Sequence, residues 1–310
     1  MTLVVVTMIV ASPVFSTQSD DRILQVVVET KKLVDNGQIA KAQDAFDELQ
    51  ADFPKVLRPD LDLYIKGELN YAKDKYTRAA KSFEKMLKEH PRSSLKDAAL
   101  EREFSIGQAY LAGRKKTVFG FIHLSGAPEG IRIMEKITDR VGLDAAMGRD
   151  ASLAVAKNYE ERELYEEAYL KWWEISLHWN EGPAGKDALL GMGRTKIAAY
   201  NQQPEHKRHL YDASGLSTAK SCYSRFRLLY PADARKMNVN RILEEIDEQL
   251  ARKQFSIGQY YQSTGHTKAA NLYYRMVVND WPDTRAAKMA KEYLVAHPEL
   301  ESDLQTSSEK

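Results

Sequence analysis

Two histidines, His206 and His209, have the spacing of half a metal site. Zinc sites of this kind are completed by further His, Cys or carboxylate ligands. The carboxylates nearby in sequence are Glu205 and Asp212, and the surrounding segment is polar. We therefore interpret the pair as residues of a polar loop and predict no metal site.

Other residue types that could carry out catalysis lack the neighbours that catalysis needs. Gly191 and Gly193 lie within a helical pattern, without the strand and third glycine of a dinucleotide-binding loop. Ser125 and Ser214 have no nucleophile-elbow sequence around them. The single cysteine, Cys222, permits no intramolecular disulfide, and we expect a buried, inert thiol. The sequence thus predicts a protein that is not an enzyme and uses no cofactor.

Composition favours a helical protein with a substantial core. The chain has 310 residues, of which 43% are hydrophobic, and its 45 basic and 44 acidic residues leave a net charge of +1. It has no basic stripe or tail, so we predict that it does not bind nucleic acid. Alternating runs of β-branched residues are nearly absent after residue 20, which predicts an all-α fold.

One pentapeptide, Phe-Ser-Ile-Gly-Gln, occurs twice, at residues 104–108 and 255–259. Repetition of this kind indicates an array of structural repeats. Such arrays present long surfaces for binding and seldom enclose a catalytic pocket.

A longer pattern of small, aromatic and apolar residues also repeats. Its first three members are spaced to share one face of a helix, and a proline just beyond ends that helix. The pattern occurs at Ala42, Phe46, Leu49 and Pro54; at Ala79, Phe83, Met86 and Pro91; at Ala219, Tyr223, Phe226 and Pro231; and at Ala270, Tyr274, Val277 and Pro282, while Ala168, Trp172 and Ile175 are followed by Asn180. Small residues twelve positions upstream, such as Gly67, Ala156 and Gly258, predict a preceding helix that packs closely against this one.

This unit resembles the tetratricopeptide repeat. The resemblance implies an all-α, right-handed superhelical solenoid of five to six helix hairpins with a C-terminal capping helix. The expected repeats lie near residues 21–54, 60–91, 95–142, 149–180, 185–231 and 240–282, with the cap at 284–296 and a disordered tail at 301–310.

The N-terminus predicts export. Leu3 to Val14 is apolar, and a stretch of about 12 apolar residues suits the core of a signal peptide better than a membrane span. We predict a signal peptide over residues 1–18, although no Lys or Arg precedes Arg22 and no cysteine is present there for lipid anchoring. The alternative is an unprocessed apolar terminus that packs on the first repeat.

The same units narrow the resemblance to the outer-membrane assembly lipoprotein family BamD. The resemblance rests on Gly67, Tyr71, Tyr76, Ala79, Ala80, Phe83 and Pro91, then Tyr230 and Pro231, and above all the stretch from Gly258 to Thr284. The resemblance implies a scaffold on the periplasmic side of the outer membrane, associated with the membrane only through its protein partners. It further implies a role in the assembly of outer-membrane proteins, with other envelope assembly proteins as partners. The alternative function is a cytosolic regulatory or chaperone-like adaptor.

In tetratricopeptide arrays the first helix of each hairpin lines a concave groove. Carried over to this sequence, the groove comprises Tyr64, Glu68, Tyr71, Phe104, Gln108, Lys157, Phe255 and Gln259. Their aromatic and amide groups suit an extended peptide.

Two apolar features outside this groove are further candidates for binding. Residues 114–128 have no helical period and are expected to form an irregular loop. Its apolar side chains, Phe119 and Phe121 among them, would either pack against a helix or contact a partner. Trp172 takes a core position, whereas Trp173 points about 100° away from it on the helix. The sequence leaves open whether Trp173 lies at an interface or packs between repeats.

Overall fold

The computed structural model describes residues 13–118 and 122–296. Contacts divide the chain into two compact units, one ending at Ala151 and the other beginning at Ser152. Within the described residues the fold is α-helical apart from one β-hairpin, so the all-α fold class is confirmed. The same part of the chain holds no helix that is both long and apolar enough to span a membrane.

The first unit consists of three successive helix pairs and the start of a seventh helix. The elements are α1 (Pro13–Asp35), α2 (Ile39–Asp52), α3 (Pro59–Ala72), α4 (Tyr76–Glu89), α5 (Lys96–Leu111), β1 (Lys115–Val118), β2 (Ile122–Ser125), α6 (Ala127–Val141) and α7 (Ala146–Glu161), the last of which crosses into the second unit. Helices α1 and α2, α3 and α4, and α5 and α6 pack as pairs.

The repeated small and aromatic residues form the contacts within these pairs. On α4, Ala79, Phe83 and Met86 are fully buried on one face. A Cβ atom on Gly67 of α3 would lie 2.5 Å from the ring of Phe83, so only glycine lets the two helices approach this closely. The spacing in the sequence therefore reports directly on helix packing.

The segment after α5 differs from the expected irregular loop. Strands β1 and β2 pair in antiparallel register, with Lys115 opposite Ser125 and Val118 opposite Ile122. The β-branched residues Thr117, Val118 and Ile122 favour strands, but four-residue strands are too short to show a clear alternating pattern. Phe119 and Phe121 lie outside the described residues, so their contact with a partner stays a prediction.

The second unit continues the helix pairs to the C-terminal end of the described chain. Its elements are α8 (Tyr165–His178), α9 (Gly182–Asn201), a 3-10 turn (Arg208–Leu210), α10 (Ser214–Leu229), α11 (Pro231–Lys236), α12 (Val239–Ser263), α13 (Thr267–Asp280) and α14 (Arg285–Ala296). Helix α9 packs against both α8 and α10, and α12 packs against α13. Helix α14 buries Ala286, Ala287 and Ala290 beside α13.

Large aromatic side chains pack against glycines in this unit too. Trp172 is fully buried, as predicted, and a Cβ atom on Gly191 would lie 2.3 Å from its indole ring. A Cβ atom on Gly258 would likewise lie 2.8 Å from the ring of Tyr274. Pro231, expected as a helix stop, follows the end of α10 and is also the first residue of the short helix α11, where its missing N–H group has no cost.

Residues 1–12 and 297–310 lie outside the described residues. The signal peptide predicted over residues 1–18 and the disordered tail predicted over residues 301–310 therefore stay predictions. Helix α1 already includes the backbone of residues 13–18.

Candidate partner-binding surface

The predicted groove residues lie on α3, α5, α7 and α12, and the structure places them at very different depths. The first two, Tyr64 and Glu68, are fully buried in the first unit. Tyr64 packs edge-on against Phe83, with ring centroids 5.6 Å apart. Neither side chain can contact a partner in this structure, so their assignment to an open groove is corrected: they belong to the core.

Glu68 is buried together with an arginine that sequence reasoning missed. Arg102 on α5 is 2% exposed, and its Nε atom donates a 2.6 Å hydrogen bond to Glu68. A second guanidinium nitrogen donates to Asp35 on α1 at 2.6 Å, and the guanidinium carbon lies 4.4 Å from the ring centroid of Tyr71. Arg102 thus joins α1, α3 and α5 through charged and stacked contacts.

Glu68 depends on this arginine for its charge. Burial raises the pKa of the Glu68 carboxyl, and the hydrogen bond and charge of Arg102 oppose that rise. One Glu68 oxygen, Oε2, is buried without a hydrogen-bond partner. Because Glu68 and Arg102 are both buried, the site is a structural ion network and not a surface for a partner.

Three predicted groove residues of the first unit remain accessible in whole or in part. Gln108 on α5 is exposed, and Phe104, one turn earlier, is half-buried. Tyr71 on α3 is also half-buried and stacks on Tyr76, with ring centroids 5.0 Å apart. These side chains offer two aromatic edges and one free amide on successive first helices.

The predicted groove residues of the second unit also divide into exposed and buried side chains. Lys157 on α7 and Gln259 on α12 are exposed. Phe255 is 7% exposed and packs on Tyr274 at a centroid distance of 5.1 Å, so its assignment to an open groove is corrected to the core. The amide of Gln259, one turn along the helix, faces solvent.

The two Phe-Ser-Ile-Gly-Gln segments therefore share one buried and one exposed feature. Their glycines, Gly107 and Gly258, lie against the second helix of each hairpin, where a Cβ atom would approach Met134 at 2.9 Å or Tyr274 at 2.8 Å. Packing explains the glycine of the repeated segment. It does not explain the terminal glutamine, which is exposed in both copies.

The histidine pair lines a separate cavity of about 550 Å³ in the second unit. Its walls include Tyr200, Glu205, His206, Arg208, His209, Gln249 and Arg252. Burial lowers the pKa of His209, and the positive charges of Arg252 and Lys253 lower it further. Positive surroundings disfavour a cation, and within residues 13–118 and 122–296 no three His, Cys, Asp or Glu side chains are placed to hold a metal ion.

Comparisons with known proteins agree with the helical hairpins. Residues 63–93, which include α4 and most of α3, match the family model of the tetratricopeptide repeat. Residues 189–305 match the model of a family described as outer membrane lipoprotein, YfiO. The chain therefore contains a tetratricopeptide repeat over residues 63–93 and resembles this lipoprotein family over residues 189–305.

Solved structures match the chain over most of its length at low sequence identity. The type IV pilus biogenesis factor PilW is 15% identical, and the match covers 90% of this chain and 99% of PilW with a TM-score of 0.34. The C-terminal part of a TPR repeat-containing protein from Cytophaga hutchinsonii is 16% identical, covering 85% of this chain and 98% of that one with a TM-score of 0.30. No curated protein sequence matches the chain.

Proposed function

We propose that this chain is a non-enzymatic scaffold of the cell envelope that binds partner proteins through the exposed parts of its first helices. The observation that carries the proposal is the similarity of residues 189–305 to an outer membrane lipoprotein family. The hairpins themselves support a binding role, because repeat arrays use their helix surfaces to hold other proteins.

The exposed groove residues suit an extended peptide. Gln108 and Gln259 each carry an amide with both donor and acceptor atoms, which can hydrogen-bond to a peptide backbone regardless of its sequence. Phe104, one turn from Gln108, and Tyr71 on α3 provide half-buried aromatic side chains in the first unit, and Lys157 provides a positive charge in the second. Within each unit, amide contacts would give affinity and the neighbouring side chains selectivity.

The place of action that we propose is the periplasmic side of the outer membrane, in the assembly of outer-membrane proteins. The apolar N-terminal segment, with the features of a signal peptide, supports export. The family similarity supports the outer membrane as the destination. Contact with the membrane would run through protein partners.

A pair of matched double variants tests the binding surface. Gln108→Ala with Gln259→Ala removes the two exposed amides, and Gln38→Ala with Gln202→Ala makes the same change at exposed glutamines of α2's N-terminus and α9's C-terminus. Each tagged full chain is incubated with solubilised envelope, and the proteins retained by the wild type are quantified. Melting temperatures of all variants are measured in parallel.

We expect the first double variant to retain several-fold less partner at an unchanged melting temperature, because neither amide contributes to the core. The second should behave like the wild type. Equal retention of partner by both double variants would refute the proposed surface, and a failure of the wild type to retain any envelope protein would refute the scaffold role.

A further inference from the structure

Helix α8 carries an apolar strip that faces away from its own core. Leu170, Trp173 and Leu177 are 58%, 46% and 66% exposed. Their spacings of three and four residues place them on one side of the helix, along about 10 Å of its length. We refer to these three side chains as the α8 strip.

The strip cannot be absorbed by the packing of the hairpin to which it belongs. The opposite side of α8 is occupied by Ala168, Trp172 and Ile175, all fully buried. Rotating the helix to cover the strip would expose Trp172, whose indole nitrogen also donates a hydrogen bond to Glu160 at 3.1 Å. Tryptophan is enriched in binding hot spots, and the two leucines extend the exposed apolar patch around it.

Carboxylates lie along one flank of the strip and at the start of α8. Glu166 is one turn before Leu170, Glu167 and Glu174 lie along one flank, and Glu163 precedes the helix. Glu166 pairs with Lys196 and Glu174 with Lys171, both at 2.9 Å. Among the residues that the structure describes, Glu163 and Glu167 have no ion-pair partner, so the rim carries uncompensated negative charge.

We propose that the α8 strip is the docking site for an amphipathic helix of a partner protein, with an apolar stripe flanked by lysine or arginine. A partner helix with apolar residues at i, i+3 or i+4 and i+7 matches the length and spacing of the strip. Basic flanking residues would meet Glu163 and Glu167, and the charge match would set orientation and selectivity.

The same charges argue against other occupants. A second copy of this chain, bound strip to strip, would bring two acidic rims together at the cost of like-charge repulsion. An anionic lipid surface would be repelled in the same way. The strip lies on the second helix of its hairpin, so this proposal is independent of the groove on the first helices.

A synthetic peptide provides a direct test with the full-length chain. The probe is a labelled 18-residue helical peptide with leucines at helical spacing and lysines on both flanks. Two comparison peptides have glutamates on the flanks or the same composition in scrambled order. Fluorescence anisotropy is recorded as the chain is titrated into each peptide at low and at high salt.

We expect the lysine-flanked peptide to bind best and to weaken as salt rises. Trp173→Ala should weaken its binding at least tenfold, whereas Leu272→Ser, at a leucine of α13 that is 58% exposed, should leave it unchanged. Replacing Glu163 and Glu167 by lysine should weaken binding of the lysine-flanked peptide and strengthen binding of the glutamate-flanked one.

Several results would overturn the proposal. They are absence of binding, equal affinity for the scrambled peptide, and an equal effect of Trp173→Ala and Leu272→Ser. A dimer in light scattering that Trp173→Ala dissociates would instead identify a second copy as the occupant. Binding to anionic vesicles that Trp173→Ala abolishes would identify a lipid surface.

Discussion

Replacing Arg102 by methionine should destabilise the first unit strongly while removing no large apolar contact. Methionine retains much of the arginine stem but loses the guanidinium, which is 2.6 Å from both Glu68 and Asp35. Glu68 is then left as a fully buried carboxylate with no cation beside it. Asp35 is half-exposed and can be solvated by water.

The expected loss of unfolding free energy follows from the different burial of Glu68 and Asp35. Breaking a buried ion pair from one side costs about 3–5 kcal/mol, whereas a half-exposed pair contributes about 1 kcal/mol or less. The variant can also avoid the buried charge by protonating Glu68. Protonating a carboxyl of ordinary pKa at pH 7 costs roughly 4 kcal/mol, so the loss of unfolding free energy should not exceed about this value. We therefore expect Arg102→Met to lose about 4 kcal/mol of unfolding free energy at pH 7.

The pH dependence of this loss identifies its cause. Burial already raises the pKa of Glu68, and without Arg102 the pKa in the folded state rises further. A group with a raised folded pKa favours folding at low pH and opposes it as pH increases. The loss caused by Arg102→Met should therefore be smaller at pH 5 than at pH 7.

Urea unfolding followed by far-UV circular dichroism measures the loss, and hydrogen exchange of α3 and α5 locates it. Tryptophan fluorescence alone is unsuitable, because all four tryptophans lie at residue 172 or beyond. Arg114→Met is the matched control: its guanidinium lies 4.1 Å from the Tyr76 ring and pairs with Asp74, but both partners of the pair are exposed.

The control variant, Arg114→Met, should lose less than about 1 kcal/mol of unfolding free energy. Adding Glu68→Leu to Arg102→Met should recover most of the loss, since the buried charge is then removed as well. A loss below 1 kcal/mol for Arg102→Met, equal losses for Arg102→Met and Arg114→Met, or no recovery in the double variant would refute the reasoning.

Four further substitutions probe the packing and charge of individual sites. Burial raises the pKa of Glu103 to about 7 from an ordinary 4.5, so stability should fall by about 3 kcal/mol as pH rises from 4.5 through 7, and Glu103→Gln should abolish that dependence in urea titrations. Gly258→Val should lower the unfolding free energy by about 1–3 kcal/mol in urea titrations, because a Cβ atom there lies 2.8 Å from the Tyr274 ring. Trp172→Ala should cost about 3–5 kcal/mol in urea unfolding and Trp173→Ala less than about 1, because the first is fully buried and the second 46% exposed.

The second helices of the hairpins could be predicted from sequence in most detail. Ala79, Phe83 and Met86 repeat a spacing that has one physical meaning, a helix face packed on a close neighbour, and all three are buried. Such a pattern is local, so each copy can be recognised without knowledge of the rest of the chain.

The first helices were harder to predict because their burial depends on distant residues. Glu68 meets Arg102, which is 34 residues away, and no local pattern in the sequence signals that contact. Positions carried over from the repeat family specify the helix face on which a residue lies, but not whether that face is buried. Tyr64 and Phe255 accordingly lie in the core, while Gln108 and Gln259 face solvent.

Depletion of this protein from its host, followed by quantification of folded β-barrels in the outer membrane, tests the central claim most directly. Folded barrels are distinguished from unfolded ones by their altered electrophoretic mobility before heating. We expect depletion to lower the folded fraction and the wild-type chain to restore it. The control double variant of Gln38 and Gln202 should also restore it, whereas the variant of Gln108 and Gln259 should not. An unchanged folded fraction after depletion, or full restoration by the Gln108 and Gln259 variant, would contradict the account.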